Sequence, residues 1–238
     1  MPTVRKEREP KKRPVAVFDI DGTVFRSSLT LELVERLIEK RIFAAESREK
    51  YERERERWLD RKGDYQEYVN KVVEVFVSQI KGVPYAAVAD AAGEIIEEKK
   101  NRVYRYTRDL IKKLKREGYY LLAVSHSPKF IVDGFGYEAG FDKVYGFFFA
   151  SGASGNFTGE VEDEDVIRNK QAVLQRAVRK ENLALEGSIG VGDTESDIPL
   201  LESVETAIAF NPNQLLYRHA KRRGWKIVVE RKDVIYEL

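Results

Sequence analysis

The sequence predicts a three-layer α/β core with a mainly parallel sheet, into which an α-helical cap domain is inserted. The core is predicted by short, almost continuously apolar runs that alternate with amphipathic helical patterns, as in strands buried on both faces of a sheet. The cap is predicted because residues 29–101 contain helical patterns and no good buried strand. The chain has 238 residues, of which 42% are hydrophobic, and this is enough for a core and a smaller second domain.

Six short runs, rich in β-branched and aromatic residues, are the predicted core strands. In chain order, they are PVAVFDI, YYLLAVS, KVYGFFFA, SIGVGD, TAIAF and WKIVVE. The helical patterns between them are TRDLIKKLKREG, the segment after HSP, NKQAVLQRAVRKEN and ESDIPLLESV. Residues 147–162 place a glycine- and serine-rich turn between β-prone segments, which predicts a hairpin or flap. We therefore assign residues 14–28 and 102–238 to the core.

Four helical patterns make up the predicted cap. They cover residues 29–43, 48–62, 65–80 and 84–100. The charged run YERERERW is most simply the solvated face of a helix. Tyr65, Tyr68 and Phe76 lie on one cap helix and can shape a pocket, although such an apolar stripe is usually core.

The composition excludes several kinds of site. The chain has no cysteine, which excludes disulfides, thiolate zinc sites and a cysteine nucleophile and is compatible with a reducing cytoplasm. It has two histidines, so any metal is expected to have oxygen ligands. No run approaches the roughly 18 apolar residues of a membrane span, and the basic residues 1–13 lack the apolar segment of a signal peptide. We therefore expect a cytoplasmic protein with a solvated basic tail and no membrane span.

Two aspartates, Asp19 and Asp21, follow the first predicted strand in VFDIDGT. Ligands bind beyond the carboxyl ends of the strands in an open parallel sheet, and residues i and i+2 of an extended chain point the same way. The two carboxylates would repel each other unless a cation joined them, so the pair indicates a hard cation. A calcium-binding EF-hand is the rival interpretation of DIDG. The buried strand before Asp19, and the lack of a glutamate at the end of a twelve-residue loop, disfavour it.

A second acidic pair, Asp193 and Asp197, follows another predicted strand in GVGDTESDIPLL. We expect Gly190 and Gly192 to let the backbone turn tightly there. A proline two residues after Asp197 places that residue near a helix N-terminus. The alternative is that Asp197 or Thr194 only caps that helix. Two acidic strand ends in one sheet favour a shared cation site.

Two further side chains are predicted to bind an anion. Ser125 and Ser127 lie where YYLLAVS ends, with Pro128 expected at the first helical position and Ser127 as its cap. A hydroxyl beside free amides at a helix N-terminus binds anions well, whereas capping alone leaves Ser125 unexplained. Lys170 follows a cap residue, Asn169, and lies in a first helical turn, where its charge opposes the helix dipole. This indicates a functional ammonium, with a surface lysine as the alternative.

Four features, taken in chain order, resemble the motifs of the haloacid dehalogenase-like hydrolases, in their phosphatase branch. They are the first aspartate pair, the serine at the end of YYLLAVS, the lysine and the second aspartate pair. DIDGT resembles the first motif, Ser125 the second, Lys170 the third and GDTESD the fourth. The resemblance covers nearly everything after the tail. The helical cap between the first two motifs resembles the phosphoserine phosphatase-like subgroup, and the resemblance implies a Rossmann-like core.

The resemblance implies a role for each acidic residue. Asp19 would attack phosphorus and become an aspartyl phosphate. Asp21 would protonate the leaving alkoxide and then activate water. Mg2+ would be held by Asp19, the backbone carbonyl of Asp21, Asp193 and, directly or in the second layer, Asp197.

The resemblance also implies a phosphate site. Ser125, Lys170 and the amides after the nucleophile, with Gly22 and Thr23 in that loop, would bind phosphoryl oxygens. The Thr23 side chain would orient the second aspartate of the motif. His126 would line the substrate pocket, with a structural role as the alternative.

The expected function is a Mg2+-dependent phosphatase that hydrolyses a small phosphorylated metabolite through an aspartyl phosphate. Ser28 stands where phosphoserine phosphatases carry a glutamate that meets the substrate, with Glu32 one turn later, and their cap arginine motif is not found in residues 29–101. One alternative is a phosphotransferase that uses the same intermediate, and another is a noncatalytic protein that binds through the tail or cap. The net charge of +2 argues neither for nor against a polyanion, and no nucleic-acid partner is expected.

Overall fold

The structure, a computed structural model, describes residues 12–162 and 164–238. Eight strands in these ranges form one sheet, in the spatial order β4-β3-β2-β1-β5-β6-β7-β8. They are β1 (Pro14–Phe18), β2 (Tyr120–Pro128), β3 (Lys143–Ser151), β4 (Phe157–Glu162), β5 (Ala184–Gly192), β6 (Thr206–Phe210), β7 (Lys226–Arg231) and β8 (Val234–Glu237). Residues 1–11 of the predicted basic tail lie outside the described residues.

The sheet is parallel except at its two edges. β4 and β8 pair antiparallel with β3 and β7, and the other neighbouring strands pair in parallel. β1 lies in the interior, because Ala16 pairs with Leu121 of β2 on one side and with Ile189 of β5 on the other. A strand covered on both faces needs a continuous apolar run, which is why the runs predict these strands correctly. The six predicted strands and the hairpin of β3 and β4 are confirmed, whereas β8 has no such run and is not predicted.

The helices are bounded as follows. They are α1 (Leu29–Glu39), α2 (Glu49–Leu59), α3 (Tyr65–Gln79), α4 (Tyr85–Lys99), α5 (Arg105–Arg116), α6 (Lys129–Glu138), α7 (Glu164–Arg168), α8 (Lys170–Lys180), α9 (Ile198–Leu201) and α10 (Gln214–Arg223). Within the described ranges, none of them combines the length and the apolar character that a bilayer span requires.

Alternate residues of β1 face opposite layers of helices. Val15 and Val17 belong to an apolar cluster that contains Val173 of α8. Ala16 and Phe18 point the other way, into a cluster that contains residues of α5 and α6. These two clusters on either side of the sheet produce the three layers that the sequence predicts.

Helices α1–α4 form the insertion between β1 and β2. The chain enters and leaves this insertion side by side, because the Arg26 amide donates to the Arg102 carbonyl at 2.9 Å. Phe76 of α3 packs edge-on against Phe149 of β3, with ring centroids 5.1 Å apart, so cap and core share one apolar cluster. The predicted fold class, with its helical cap, is confirmed, and the boundaries of the cap at residues 29–101 are our proposal.

Candidate active site

The carboxyl ends of three adjacent strands bring together residues that the sequence predicts. β1 lies between β2 and β5. Asp19 follows β1, Ser125 lies near the end of β2 and Asp193 follows β5. A parallel sheet places these ends at one edge, so residues far apart in the chain meet there.

Lys170 connects the two acidic pairs. Its Nζ lies 2.6 Å from Asp19 Oδ1 and 2.6 Å from Asp197 Oδ1, and its side chain is almost fully buried. Lys170 is the first residue of α8, and the Asn169 side chain caps this helix by accepting from the Ala172 amide at 3.0 Å. The predicted role of Asn169 as the N-cap of this helix is therefore confirmed. The two ion pairs explain why an ammonium is stable at a helix N-terminus, and the alternative of a surface lysine is wrong.

Burial changes the proton affinity of this cluster. It raises the pKa of Asp19 to about 7, although Lys170 opposes the shift, while Asp197 and Asp21 add to it. Burial likewise raises the pKa of Asp193 well above its usual range, and Asp19 contributes. Burial disfavours the charged form of Lys170, but Asp19 and Asp197 outweigh it, so the pKa of the ammonium lies above its usual value. Without a further cation, the three carboxylates of the cluster therefore carry more negative charge than the one ammonium can neutralise.

The raised pKa of Asp19 predicts how stability depends on pH. From roughly pH 4 to its folded pKa of about 7, folded Asp19 keeps a proton that the unfolded chain has released. The unfolding free energy of the metal-free protein should therefore fall as pH rises, by up to about 1.4 kcal/mol per pH unit from this group. Urea denaturation in EDTA at several pH values measures the slope, and Asp19→Asn is the control that removes this component. Equal slopes in both proteins would contradict the raised pKa.

The acidic cluster fits a divalent cation. Asp19, Asp193 and Asp197 each offer a carboxylate oxygen, and the three oxygens lie within 4.8 Å of one another. An all-oxygen donor set suits a hard cation, and Lys170 pairs with two of these carboxylates but not with Asp193. Gly22 leaves room for the Asp193 carboxylate, since a Cβ at this position, where φ is +82°, would lie 2.1 Å from Asp193 Oδ2.

Asp21 has a different environment from Asp19. Its Oδ1 accepts from the Leu29 amide at 2.6 Å, and its Oδ2 accepts from the hydroxyls of Ser125 at 2.6 Å and Ser127 at 2.9 Å. Burial raises the pKa of Asp21, and these hydrogen bonds partly oppose the shift. The Asp21 carboxylate is therefore held by neutral donors outside the group of three metal-site carboxylates, which fits a role in moving protons.

The structure corrects the predicted role of Ser127. Its hydroxyl donates to Asp21 and lies 2.8 Å from Thr30 Oγ1, so it does not cap α6. β2 extends through Pro128, and Pro128 is the N-cap of α6. The sequence instead predicts Pro128 as the first helical residue, with Ser127 as the N-cap. The difference arises because Ser127 is buried and its hydroxyl has partners in both the loop after β1 (Asp21) and the cap (Thr30). Ser125 is fully buried and accepts from the Ser127 amide at 2.8 Å.

The loop after Asp19 also differs from expectation. The Thr23 hydroxyl is buried without a hydrogen-bond partner, so the prediction that it orients Asp21 is wrong for this structure. The Gly22 amide donates to the carbonyls of Phe25 and Ser27 at 3.0 and 3.1 Å. The Thr23 amide donates to the Ile20 carbonyl at 3.3 Å. Gly22 and Thr23 therefore use their amides to close the loop.

Asp197 both caps a helix and contributes to the site. Its Oδ2 accepts from the amides of Asp193 and Thr194 at 3.0 and 3.1 Å, while Oδ1 faces Lys170. Capping and ion pairing thus use different oxygens, and the two interpretations do not exclude each other. Gly192 lies inside β5 rather than in a tight turn, and so does Gly190. A Cβ on Gly192 would lie 2.6 Å from the Asp197 Cβ, so glycine there makes room for this aspartate.

A cleft of about 280 Å³ opens over these residues and is covered on one side by α3. Asp19, Asp21 and Lys170 form its floor, and His126 forms part of its wall, as expected. The cap side consists of Thr30 of α1 and four residues of α3 at helical spacing. The four residues of α3 are Gln66, Val69, Asn70 and Val73. Tyr68 is buried on another face of α3, which supports the core interpretation for this residue, whereas Phe76 is buried one turn after Val73 and lines an adjoining recess.

The ring of His126 lies in this wall, stacked on Phe147 with centroids 5.7 Å apart. The ring is hydrogen-bonded to the backbone of Arg168, while Nε2 is buried without a partner. Burial, followed by the charge of Lys170, lowers the pKa of His126 to about 4. The imidazole is therefore neutral near pH 7.

Several residues of the site carry no sequence signal that identifies them. Thr30 and Ser127 look like ordinary polar residues near helix starts, and Phe147 looks like a strand residue. Arg168 lies two positions before Lys170, and this short spacing is the one signal that places it near the site. The others depend on which elements pack against the cleft.

A family model of the haloacid dehalogenase-like hydrolases matches residues 16–202 of the chain. A phosphoserine phosphatase of Methanocaldococcus jannaschii is 25% identical over 228 residues, which cover 94% of this chain and 95% of the relative. The "Inhibition of morphological differentiation protein" of Streptomyces azureus is 30% identical over 152 residues, 64% of this chain. The chain spans about half of that relative's length, 52%.

A solved structure of a phospho-aspartyl intermediate analogue of phosphoserine phosphatase has the same fold, with a TM-score of 0.62. It is 23% identical, and the match covers 94% of this chain and 96% of that one. The resemblance inferred from the motifs is thus confirmed by the family model and by similarity in sequence and fold. Because the model matches most of the chain, from the first strand to beyond the fourth motif, the protein belongs to the family of haloacid dehalogenase-like hydrolases.

Proposed function

We propose that the protein is a Mg2+-dependent phosphatase that hydrolyses a small phosphomonoester through an aspartyl phosphate on Asp19. The observation that carries this proposal is the contrast between two aspartates two positions apart. Asp19 contacts Lys170 and belongs to the carboxylate group that fits a metal. Asp21 is held by an amide and two hydroxyls outside that carboxylate group. Burial raises the pKa of both carboxyls, so the contrast lies in their partners. One residue is suited to attack as an anion and the other to carry a proton.

In the first step, a carboxylate oxygen of Asp19 forms a bond to phosphorus while the bond from phosphorus to the leaving oxygen breaks. Asp21 gives its proton to that oxygen, so the alcohol leaves neutral. In the second step, Asp21 takes a proton from water, whose oxygen attacks phosphorus and releases Asp19 and inorganic phosphate. A bound Mg2+, held by Asp19, Asp193, Asp197 and the Asp21 carbonyl, would neutralise the approaching anions.

We assign the phosphoryl oxygens to Lys170 and Ser125, both of which already contact the catalytic aspartates. Gly22 and Thr23 are assigned to shaping the loop, since their amides bond to its own carbonyls. The phosphatase activity of the Methanocaldococcus jannaschii relative supports the reaction class. Hydrolysis and phosphotransfer share the intermediate, and product analysis with added alcohols separates them. A cytoplasmic location stays a prediction.

Hydrolysis of p-nitrophenyl phosphate tests the proposal directly. We expect activity with Mg2+, loss of activity in EDTA and recovery when excess Mg2+ is added back. Ca2+ is the matched control, because it takes oxygen ligands but prefers a larger and more flexible coordination shell. Activity that is unchanged in EDTA, or absent under all conditions, would contradict the proposal.

Replacing Asp21 by asparagine should affect substrates according to their leaving groups. A p-nitrophenolate leaves without a proton, whereas an alkoxide needs one, so kcat/KM should fall by about 100-fold or more for an alkyl phosphate and by much less for p-nitrophenyl phosphate. Kinetics on both substrates measure the difference. Equal losses on both would show that Asp21 does not protonate the leaving group.

A further inference from the structure

The cap side of the cleft carries no charge among the described residues that line it. Gln66, Val69, Asn70 and Val73 of α3 face the floor of the site. The two polar residues of this set bond to each other, because Gln66 Nε2 donates to Asn70 Oδ1 at 2.9 Å. No described residue on this side therefore offers a charge to pair with an ammonium or a carboxylate of a substrate.

The cleft continues into an apolar recess between α3 and β3. Val73 and Phe76 form its cap side and Phe147 and Phe149 its core side, and its volume is about 50 Å³. The cleft and the recess have Thr30, Val73, His126, Phe147 and Arg168 as common lining residues. The two spaces therefore adjoin, so a group attached to a phosphate on Asp19 can extend toward the recess.

His126 lies between the two spaces and adds no charge to them. Its pKa is lowered to about 4 by burial and by Lys170, so the ring is neutral at physiological pH. Its Nε2 is buried without a partner and can accept a hydrogen bond from an uncharged donor. Glu164 and Arg168 of the recess lining pair with each other, and the rest of the wall is mainly apolar with one free acceptor, which suits an alcohol better than an ion.

The charged residues near the rim already have partners. Arg168 donates to Glu164 Oε1 at 2.8 Å, and its guanidinium lies over the Phe147 ring at 5.7 Å. Glu195 accepts from the Asn213 side-chain amide. Arg168 is thus paired with a carboxylate, whereas the partner of Glu195 is a neutral amide that does not offset its charge.

Ser28, which stands where phosphoserine phosphatases carry a substrate-binding glutamate, has a structural role here, and so does Glu32. Ser28 is buried and caps α1, accepting from the Leu31 amide at 3.5 Å. Glu32, one turn later, is paired with Lys99 and Arg102 and does not line the cleft. Neither residue is placed to bind the ammonium of a substrate.

We propose, resting on the function proposed above, that the substrate is the phosphate monoester of a small uncharged alcohol whose apolar end occupies the recess lined by Val73 and Phe147. Zwitterionic esters such as phosphoserine are expected to bind less tightly, because a charged group that enters the recess or faces α3 would lose water without gaining an ionic partner. The recess selects for an apolar leaving group, and the floor of the cleft supplies the chemistry.

Binding of phosphonates, which cannot be hydrolysed, tests this inference separately from catalysis. With Mg2+ present, calorimetry should show benzylphosphonate binding at least about tenfold more tightly than methylphosphonate or the phosphonate analogue of phosphoserine. The same order is expected in kcat/KM for the corresponding phosphate esters. Preference for the amino-acid analogue overturns the inference. Preferred binding of benzylphosphonate without any hydrolysis supports the recess and contradicts the phosphatase.

Two neighbouring phenylalanines of β3 provide a matched pair of variants. Phe147 faces the recess, whereas Phe148 points to the other side of the strand and is 46% exposed. Phe147→Ala should weaken benzylphosphonate binding about tenfold and methylphosphonate binding less than about twofold. Phe148→Ala should change neither. Equal losses for both ligands in Phe147→Ala, or a larger effect in Phe148→Ala, overturn the assignment of the recess.

Discussion

Replacing Asp19 by asparagine is expected to lower kcat by about 10,000-fold or more, because the amide oxygen cannot form the covalent intermediate. Asp19 lies 2.6 Å from the ammonium nitrogen of Lys170 and belongs to the carboxylate group that fits a metal. An asparagine keeps the shape of the side chain and can still accept from Lys170. The loss should therefore be one of chemistry rather than of folding.

Acid quenching during turnover, followed by peptide mass spectrometry, checks this prediction. In the native protein, one phosphoryl group should appear on the peptide that contains Asp19, and Asp19→Asn should show none. Asp109→Asn is a matched control, since Asp109 is an exposed aspartate of α5 paired with Arg108. A variant at position 19 that keeps a tenth of native kcat, or a phosphoryl group elsewhere, would falsify the assignment of the nucleophile.

Replacing Lys170 by methionine is expected to lower both stability and activity. It leaves Asp19 and Asp197 buried without their common ammonium partner, and breaking a buried pair in this way costs about 3–5 kcal/mol. Protonation of Asp19, whose pKa is already about 7, should keep the loss at the lower end of that range. The phosphoryl group also loses one positive charge, so kcat/KM should fall by about 1,000-fold.

Urea denaturation in EDTA measures the stability of Lys170→Met, and the same experiment with Mg2+ should recover part of the loss. Lys180→Met is the matched control, because Lys180 is exposed at the opposite end of α8. Its expected cost is under about 1 kcal/mol, from the lost interaction with the helix dipole. If both variants unfold at the same urea concentration as the native protein, Lys170 does not stabilise the buried carboxylates.

The local sequence predicted the strands of the core and the residues at their ends. A parallel strand buried on both faces needs a continuous apolar run, and the run that ends at Phe18 places Asp19 at the edge of the sheet. The same reasoning placed Ser125 and Asp193. These features are local, because burial and backbone direction follow from the pattern of neighbouring residues. Membership of the family also followed from short motifs and their order.

The role of each polar group depended on contacts between distant parts of the chain. Ser127 resembles a helix cap in sequence, yet it donates to Asp21 because the spatial order of the strands in the sheet puts β2 beside β1. Thr23 resembles a positioning residue, yet its hydroxyl has no partner. Such side chains have several possible partners, and packing decides which one is within reach.

By itself, the sequence determined the α/β core, the helical insertion and the residues that carry the chemistry, because periodicity and motif spacing are properties of the chain. Only the tertiary structure decided that Lys170 joins Asp19 to Asp197 and that an uncharged face of α3 covers them. It also decided that an apolar recess adjoins the phosphate site. Position 170 and position 19 are 151 residues apart in the sequence. The faces of α3 cannot be told apart by sequence, because only the packing of the helix decides which residues enter the core. Interactions over that distance are set by the order of the strands and by which side chains are buried together.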